Sequence, residues 1–427
     1  MNLNRLLSAT CLASFWAFAG YAETAPNILL VIADDMGVDA SPCHVEGSRL
    51  AKMPTLEDLC GEGMIFDAAY AAPLCSPTRA TIMTGKYGFR TGVTGVVSSS
   101  EHNGLSSSEE TLFDVLGRET DYSSAVIGKW HLSSERNDLD HPETLGVDYF
   151  YGPLSGGVSD YTSWTAVEQG KRIRVSDYAT SALSDKAIDW IDDQSSPWFL
   201  WLAYNAPHTP FHAPPRNLHS FGELSGDKRD IRRNPDRYYF AALEAMDSEL
   251  GRVLGAIAPD ERENTFVVFL GDNGTPGQLF RGTSKQGKTK GSLYEGGTNV
   301  PLVVTGPEVL QGQGTELVAS TDLYSTILGL AGVKISTKDS FDLSPALFDY
   351  ASTGREIVFT EISGDSKGGS KSGWAIRDAR YKLIQHDHST AELYDLQADP
   401  TEHTDLMITN NSFARTIADR LANAKPI

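Results

Sequence analysis

The chain has 427 residues, enough for one large α/β domain with a smaller appendage or for two ordinary domains. Hydrophobic residues are 40% and charged residues 22%, the balance of a soluble chain that buries a real core. A formal net charge of −20 argues against nucleic acid as a partner, because polyanion binders carry the opposite balance, and any anionic substrate must be met by local basic groups.

The first residues predict a signal peptide over 1–22. Arg5 is the only charge before Glu23, Leu6 to Ala19 is an apolar run too short to span a bilayer comfortably, and Gly20-Tyr21-Ala22 supplies the small residues of a cleavage site. Cleavage near Ala22 and an exported protein, periplasmic or secreted, are expected. An N-terminal membrane anchor is the alternative, disfavoured by the short run and its small-residue end. No later stretch is long and apolar enough for stable membrane insertion. Cys11 leaves with the signal, so Cys43, Cys60 and Cys75 remain, an odd number in a compartment that permits disulfides. Either Cys43 pairs with Cys60 and frees Cys75 for chemistry, or all three are thiols; spacing does not decide between them.

Short apolar runs at Asn27 to Ile32, Ser123 to Ile127, Trp198 to Tyr204, Thr265 to Leu270 and Pro301 to Val304 read as buried parallel strands. Helices fall between them. Tyr239, Leu243, Met246, Leu250, Val253 and Ile257 mark one apolar helical face, and Tyr178 to Ile191 a second helix. The alternation predicts an α/β fold, a mostly parallel central sheet flanked by helices, over residues 23–340. Residues 341–427 change character: Glu356 to Ile362, Gly373 to Arg377, Tyr381 to Gln385 and Glu392 to Leu396 read as strands without intervening helices, and Ser412 to Ala424 as a helix. A small C-terminal antiparallel α+β subdomain is expected there.

Four of the strands run into polar residues: Asp34-Asp35, Lys129-Trp130-His131, Asn205-Ala206-Pro207-His208 and Asp272-Asn273-Gly274. Open α/β sheets bind ligands outside the carboxyl ends of their strands, so these segments should converge. Asp34, Asp35, Asp272 and Asn273 are hard oxygen ligands, suited to one divalent cation such as Ca²⁺ or Mg²⁺ rather than zinc. Either pair alone would be an ordinary turn or cap. Both pairs, each directly after a buried strand, favour a metal, because adjacent desolvated carboxylates need a counter-charge.

In the segment Cys75-Ser76-Pro77-Thr78-Arg79, Pro77 fits the first turn of a helix and puts Cys75 at its positive end. A buried structural cysteine would explain Cys75 but not the rest. Cys75-x-Pro77-x-Arg79 with Thr84-Gly85 resembles the signature of the type I sulfatases, arylsulfatase-like enzymes of the alkaline phosphatase superfamily. The likeness extends to Asp34-Asp35-Met36-Gly37, Gly128-Lys129-Trp130-His131-Leu132, Ala206-Pro207-His208-Thr209-Pro210, Gly271-Asp272-Asn273-Gly274, the stretch Lys290 to Gly297, and Glu392 to Leu396 followed by Asp399-Pro400. The motifs keep the family's order across nearly the whole mature chain.

The resemblance implies hydrolysis of sulfate monoesters, on a sulfated carbohydrate or aryl sulfate. It implies that a formylglycine-generating maturation enzyme oxidises Cys75 to formylglycine, whose hydrate attacks sulfur and forms a covalent sulfoenzyme as the alcohol departs. The second hydroxyl of the hydrate then expels sulfate. By the same resemblance Asp34, Asp35, Asp272 and Asn273 bind the metal, usually calcium, together with an oxygen of residue 75. Arg79 holds the hydrate, Lys129 and Lys290 neutralise sulfate oxygens, His131 assists proton removal, and His208 stands near the leaving oxygen as a general acid. The register Lys290-Gly-Ser-x-Tyr-Glu-Gly-Gly selects Lys290 over Lys288.

A phosphate or phosphonate monoester hydrolase of the same superfamily is the nearest alternative. One cation's worth of ligands and two lysines favour sulfate over it. An inactive carbohydrate-binding relative is the other, opposed by the intact Cys75, Arg79 and both metal pairs. Arg281, Lys285 and Lys288 form a basic cluster just before Lys290, either a solvated loop or a subsite for a second anionic group. Tyr161 and Trp164 could stack on sugar rings or simply pack.

Overall fold

The computed structural model describes residues 25–44, 51–98, 103–134, 137–195, 197–335, 337–363, 372–409 and 412–427. The expected signal segment, with its cleavage point near Ala22, lies outside the described residues.

In chain order the strands are β1 (Asn27–Ala33), β2 (Met64–Phe66), β3 (Ala69–Tyr70), β4 (Ser123–Gly128), β5 (Tyr149–Gly152), β6 (Trp164–Glu168), β7 (Lys171–Val175) and β8 (Trp198–Ala203). There follow β9 (Thr265–Gly271), β10 (Leu302–Thr305), β11 (Gly312–Gly314), β12 (Val318–Ala319), β13 (Val358–Ile362), β14 (Gly373–Arg377), β15 (Tyr381–His386) and β16 (Glu392–Asp395). Ten of them form one sheet in the order β11-β2-β10-β9-β1-β8-β4-β5-β6-β7, whose centre, β9-β1-β8-β4-β5, is parallel throughout.

The continuous apolar sequence of β1 follows from its position. All seven residues are buried, with Ile28, Leu30 and Ile32 in the core on one face and Leu29, Val31 and Ala33 in the core on the other. Helices cover those faces. Pro235–Ala256 buries Tyr239, Leu243, Met246, Leu250 and Val253, the stripe expected from the sequence, and packs beside Ala179–Asp192.

One strand departs from expectation. The run at Pro301 to Val304 was expected among the parallel strands, but β10 pairs antiparallel with β9, Val303 opposite Phe269. The segment between them holds only short helical turns, Gly277–Phe280 and Glu295–Thr298, and no full crossover helix that would return the chain to the far end of the sheet. It turns back at the end where it left.

The C-terminal strands β13 to β16 form a separate four-stranded antiparallel sheet, and Ser412–Asn423 packs on it through Ala414, Ala418 and Leu421. A disulfide joins Cys43 to Cys60, their Cα atoms 6.1 Å apart, and Cys75 is a buried free cysteine. The paired alternative for the three cysteines is the one the structure adopts.

Candidate active site

Because β1, β4, β8 and β9 run parallel, their carboxyl ends share one edge of the sheet. Backbone bonds lock the segments that follow: Asp34 N–H donates to Ala206 O at 3.1 Å, Lys129 N–H to Ala203 O at 2.9 Å, and Asp272 N–H to Ala33 O at 3.1 Å. Gly128 has φ +121°, and a Cβ there would sit 1.9 Å from Ala203 O, so only glycine lets β4 leave the sheet and bring Lys129 inward.

Residue 75 comes from elsewhere. The helix Cys75–Thr84 begins at Cys75, after Leu74 in an extended conformation, and all ten of its residues are buried. Arg79 lies one turn beyond Cys75 on the same face. Its Nη2 pairs with Asp272 Oδ2 at 2.8 Å and its Nη1 donates to Lys129 O at 2.6 Å. These contacts hold Asp272 and the Lys129 backbone, while Arg79 Nε stays buried without a partner.

The Cys75 Sγ lies 3.4 Å from Asp34 Oδ1 and 3.9 Å from Asp35 Oδ1, with Lys290 Nζ 3.6 Å away. Lys129 Nζ pairs with Asp34 Oδ2 at 2.6 Å, both side chains fully buried, and Lys290 pairs with Asp35 Oδ1. Asn273 Nδ2 donates to Asp35 Oδ1 at 2.8 Å, and Asp35 N–H donates to Asp272 Oδ1 at 3.0 Å. Lys129 and Lys290, not Lys288, therefore stand beside Cys75.

Burial drives the Cys75 thiol up to about 12, with Asp272 and Asp34 adding to the rise and Lys129 and Lys290 opposing it. At neutral pH this sulfur is a protonated thiol, not a thiolate. Burial would also raise Asp34, but Lys129 and then His208, Arg79 and Lys290 hold its carboxyl well below the usual range. Burial, then Lys129 and Arg79, push His131 well below its ordinary value, so its ring is neutral.

The two histidines differ in setting. His131 is buried at φ +61° with Nδ1 unpartnered, and its ring lies so close to Gly156 that a Cβ there would meet Nε2 at 2.5 Å. His208 Nδ1–H donates to Thr209 O at 2.7 Å, and its Nε2 faces Asp35 Oδ2 at 3.8 Å. The Thr209 carbonyl therefore leaves Nε2 as the atom that exchanges a proton.

The residues fit a divalent cation. Asp34, Asp35, Cys75 and His208 offer ligand atoms within 4.8 Å of one another, and Asn273 Oδ1 is a buried oxygen with no partner. His208 joins this group, and Asp272 borders it, its oxygens accepting from Arg79 and from the Asp35 backbone as those of Asp34 accept from Lys129 and Cys75. Asp35 has φ +74°, strained backbone of the kind that marks functional sites.

Some residues named in the sequence take roles at the site that the sequence did not assign them. Asn205, after β8, has both amide atoms buried without partners. Tyr239 OH donates to Asp35 O at 2.8 Å. Tyr161 OH reaches Asn205 O and His208 O at 2.7 and 2.8 Å. With Tyr161 2% and Trp164 1% exposed, packing is their role and sugar stacking is not. The basic cluster also divides: Lys285 pairs with Asp39 at 3.5 Å, and Lys288 donates to Glu402 O over the Tyr294 and Tyr394 rings. Arg281 faces a different cavity.

Comparison with known proteins agrees with this geometry. The family model described as Sulfatase matches residues 26–333, and that described as N-sulphoglucosamine sulphohydrolase, C-terminal, matches residues 288–425. Arylsulfatase G of Canis lupus familiaris is 30% identical, aligned over 83% of this chain and 74% of its own length. N-acetylgalactosamine-6-sulfatase of Sus scrofa is 30% identical over 79% of this chain and 69% of its own. Arylsulfatase J of Mus musculus is 29% identical, and the match spans 84% of this chain but only 62% of that relative. Among solved structures, Ps i-CgsB in complex with k-i-k-neocarrahexaose aligns with a TM-score of 0.79 at 26% identity, covering 94% of this chain and 92% of that one. The chain belongs to the sulfatase family, within the alkaline phosphatase superfamily.

Proposed function

We propose that the protein hydrolyses sulfate monoesters of saccharides, with residue 75 acting as nucleophile after oxidation of its thiol to formylglycine by a dedicated maturation enzyme. The observation that carries this reading is Cys75 Sγ, 3.4 Å from Asp34 and 3.6 Å from Lys290, kept protonated by burial and then by Asp272 and Asp34 against Lys129 and Lys290. A neutral thiol is a poor nucleophile and a soft ligand mismatched to a hard cation; an oxygen function in the same place matches that cation and can be activated by it and by a base.

Asp34, Asp35, Asp272, Asn273 and residue 75 would hold a divalent cation, with His208 facing the same space. Calcium suits this oxygen-rich set. Such an ion supplies Lewis-acid polarisation of sulfate-ester oxygens. Without it, the carboxylates of Asp34, Asp35 and Asp272 are matched one for one by Lys129, Lys290 and Arg79. A divalent ion therefore leaves a surplus of positive charge, which draws an ester anion into a chain of net charge −20.

Lys129 and Lys290 stabilise charge on the sulfate oxygens as the ester bond breaks. His208 delivers a proton from Nε2 to the departing alcohol while Thr209 O fixes its ring. His131, kept neutral by burial and by Lys129, accepts a proton from residue 75. Arg79 keeps Asp272 and the Lys129 backbone in register.

The saccharide reading is supported by the bound neocarrahexaose of the Ps i-CgsB structure and by the N-acetylgalactosamine-6-sulfatase relative. Export is supported by the apolar run at the N-terminus and by the Cys43–Cys60 bridge, which oxidising compartments preserve. Mass spectrometry of the peptide carrying residue 75 tests the nucleophile directly. The active protein should carry an aldehyde or its hydrate there, and Cys75→Ala should lower kcat on 4-nitrophenyl sulfate by roughly 10⁴ or more while leaving the fold intact. An active preparation whose residue 75 is wholly cysteine would end this mechanism.

A further inference from the structure

Beside the His208 loop lies a cavity of about 600 Å³ that takes no part in the chemistry above. Thr209 lines it, one residue from the His208 ring and joined to that ring through its carbonyl. Opposite stand Arg232 and Arg233, at the end of the short helix Lys228–Arg233, and Arg281 from the loop after β9. These arginines come from two segments nearly fifty residues apart, yet they border one space.

About half of the described arginines pair with acids; these three do not. Arg79, Arg90, Arg252, Arg355 and Arg380 are all held by carboxylates. The side chains of Arg232, Arg233 and Arg281, all solvent-exposed, form no hydrogen bond or ion pair with any described residue. Two carboxylates share the cavity wall. Asp39 is already bound by the Thr275 hydroxyl at 2.6 Å and by Lys285, which leaves Asp236 as the remaining counter-charge. Between the charges the wall is apolar, with Phe211, Phe280 and Leu279 offering flat surface to a ring. In a chain of net charge −20, three guanidinium groups left without partners around one cavity form a receptor for an oxyanion.

We infer that this cavity is a subsite for a second anionic substituent, a sulfate or a uronate carboxylate, on the saccharide whose ester is cleaved. The inference rests on the proposed hydrolysis and narrows its substrate class from sulfated to multiply anionic saccharides. His208 is the proton donor to the departing alcohol, so the sugar leaves from its side of the site. The cavity beginning at Thr209 is where the remainder of that sugar, or its neighbour, would extend. The basic feature visible in the sequence, Arg281 with Lys285 and Lys288, is only partly this subsite. The lysines are engaged elsewhere, and Arg232-Arg233 take their place.

The experiment has a binding arm and a turnover arm. Calorimetry on the purified wild-type protein compares three disaccharides lacking the scissile ester: a neutral one, one with a single remaining sulfate, and one with a uronate. Either anionic disaccharide should bind about ten- to a hundredfold tighter than the neutral one, with an advantage that falls as salt rises. Whichever of the two shows the advantage identifies the anion. Arg232→Ser/Arg233→Ser/Arg281→Ser should abolish it. In turnover, the variant's loss on the matching sulfated disaccharide should appear in KM rather than kcat. Equal affinity for all three disaccharides in wild type, or an advantage that survives the triple substitution, overturns the subsite. Failure of wild type to hydrolyse 4-nitrophenyl sulfate, with residue 75 oxidised, would instead count against the hydrolytic reading, because the binding arm does not depend on turnover.

Discussion

Asn273 carries the sharpest residue-scale consequence. Its Nδ2 is spent on Asp35 and on Gly274 O, while Oδ1 is buried with nothing to accept from. Leaving an amide oxygen so placed costs about 1–3 kcal/mol unless a cation takes it up. Asn273→Ala should therefore weaken Ca²⁺ binding to metal-stripped protein at least about tenfold, with Asp35→Ala weaker still for the loss of a charged oxygen. Calcium titration by calorimetry reads both, and unchanged affinity in Asn273→Ala would remove that residue from the ligand set. Asn273 was legible in the sequence because Asp-Asn-Gly directly follows a buried strand. Asn205 was legible only as one polar residue of a converging strand end, not in its role: its exceptional feature, two unpartnered buried atoms, exists only once Tyr161 and the His208 loop have folded around it. Arg79 was legible as a site residue but not in its contacts, since its partner Asp272 lies 193 positions away.

At the scale of elements, the central strands could be read because burial on both faces leaves an unbroken apolar run. The edge strands could not. β7 carries Lys171, Arg172 and Arg174 and exposes most of its length, so no hydrophobic pattern announces it. The loop after β8 owes its shape to side-chain contacts that spacing does not encode. His212 stacks on Tyr161 with ring centroids 3.7 Å apart, donates from Nδ1 to Pro210 O, and accepts at Nε2 from Tyr178 OH. Burial lowers His212 from 6.5 to about 4, against smaller opposing effects of Pro210 O and Asp160. An unfolded histidine takes up its proton near pH 6.5, whereas this one stays neutral until about pH 4. Its contribution to stability is therefore complete above pH 6.5 and is lost as pH falls toward 4, by up to about 3 kcal/mol. His212→Phe retains the stacking but cannot titrate. Urea unfolding from pH 7 to 4.5 should show the wild-type advantage shrinking as the medium becomes acidic. A difference that holds constant across that range would mean His212 is protonated alike in both states.

For the whole molecule, the sequence carried the change from alternating strands and helices to an antiparallel C-terminal sheet, but not what fastens that sheet to the rest. The fastening is a buried charge cluster. Lys382 on β15, 2% exposed, lies 2.8 Å from Glu295 Oε1 and 3.0 Å from Glu402 Oε1. Tyr70 OH donates to Glu295 Oε2 at 2.7 Å, and Glu402 Oε2 accepts from the Glu295 backbone N–H at 2.7 Å. These partners come from segments far apart in the chain, and in isolation each is an ordinary charged residue expected at the surface. Glu295 also begins the short helix just after Lys290, so the cluster supports the segment that presents that lysine to the site. Burial works to raise Glu295, but Lys382 and Arg377 hold it below the usual carboxylate range; Glu402 is raised, by burial and then by Glu295 against Lys382. Lys382→Met keeps much of the side-chain volume and removes the shared cation, leaving two buried carboxylates in mutual repulsion. The expected cost is about 3–5 kcal/mol at neutral pH, because breaking a buried pair strands its partner. Loss of the lysine raises the folded-state values of both carboxyls above their unfolded ones, so the penalty is full above those raised values. It should shrink as pH falls and the acids take up protons that the unfolded chain does not yet bind. Urea unfolding of wild type and Lys382→Met at pH 7.5, 6 and 5 measures the trend. A deficit equal at all three would assign the loss to packing rather than to stranded charge.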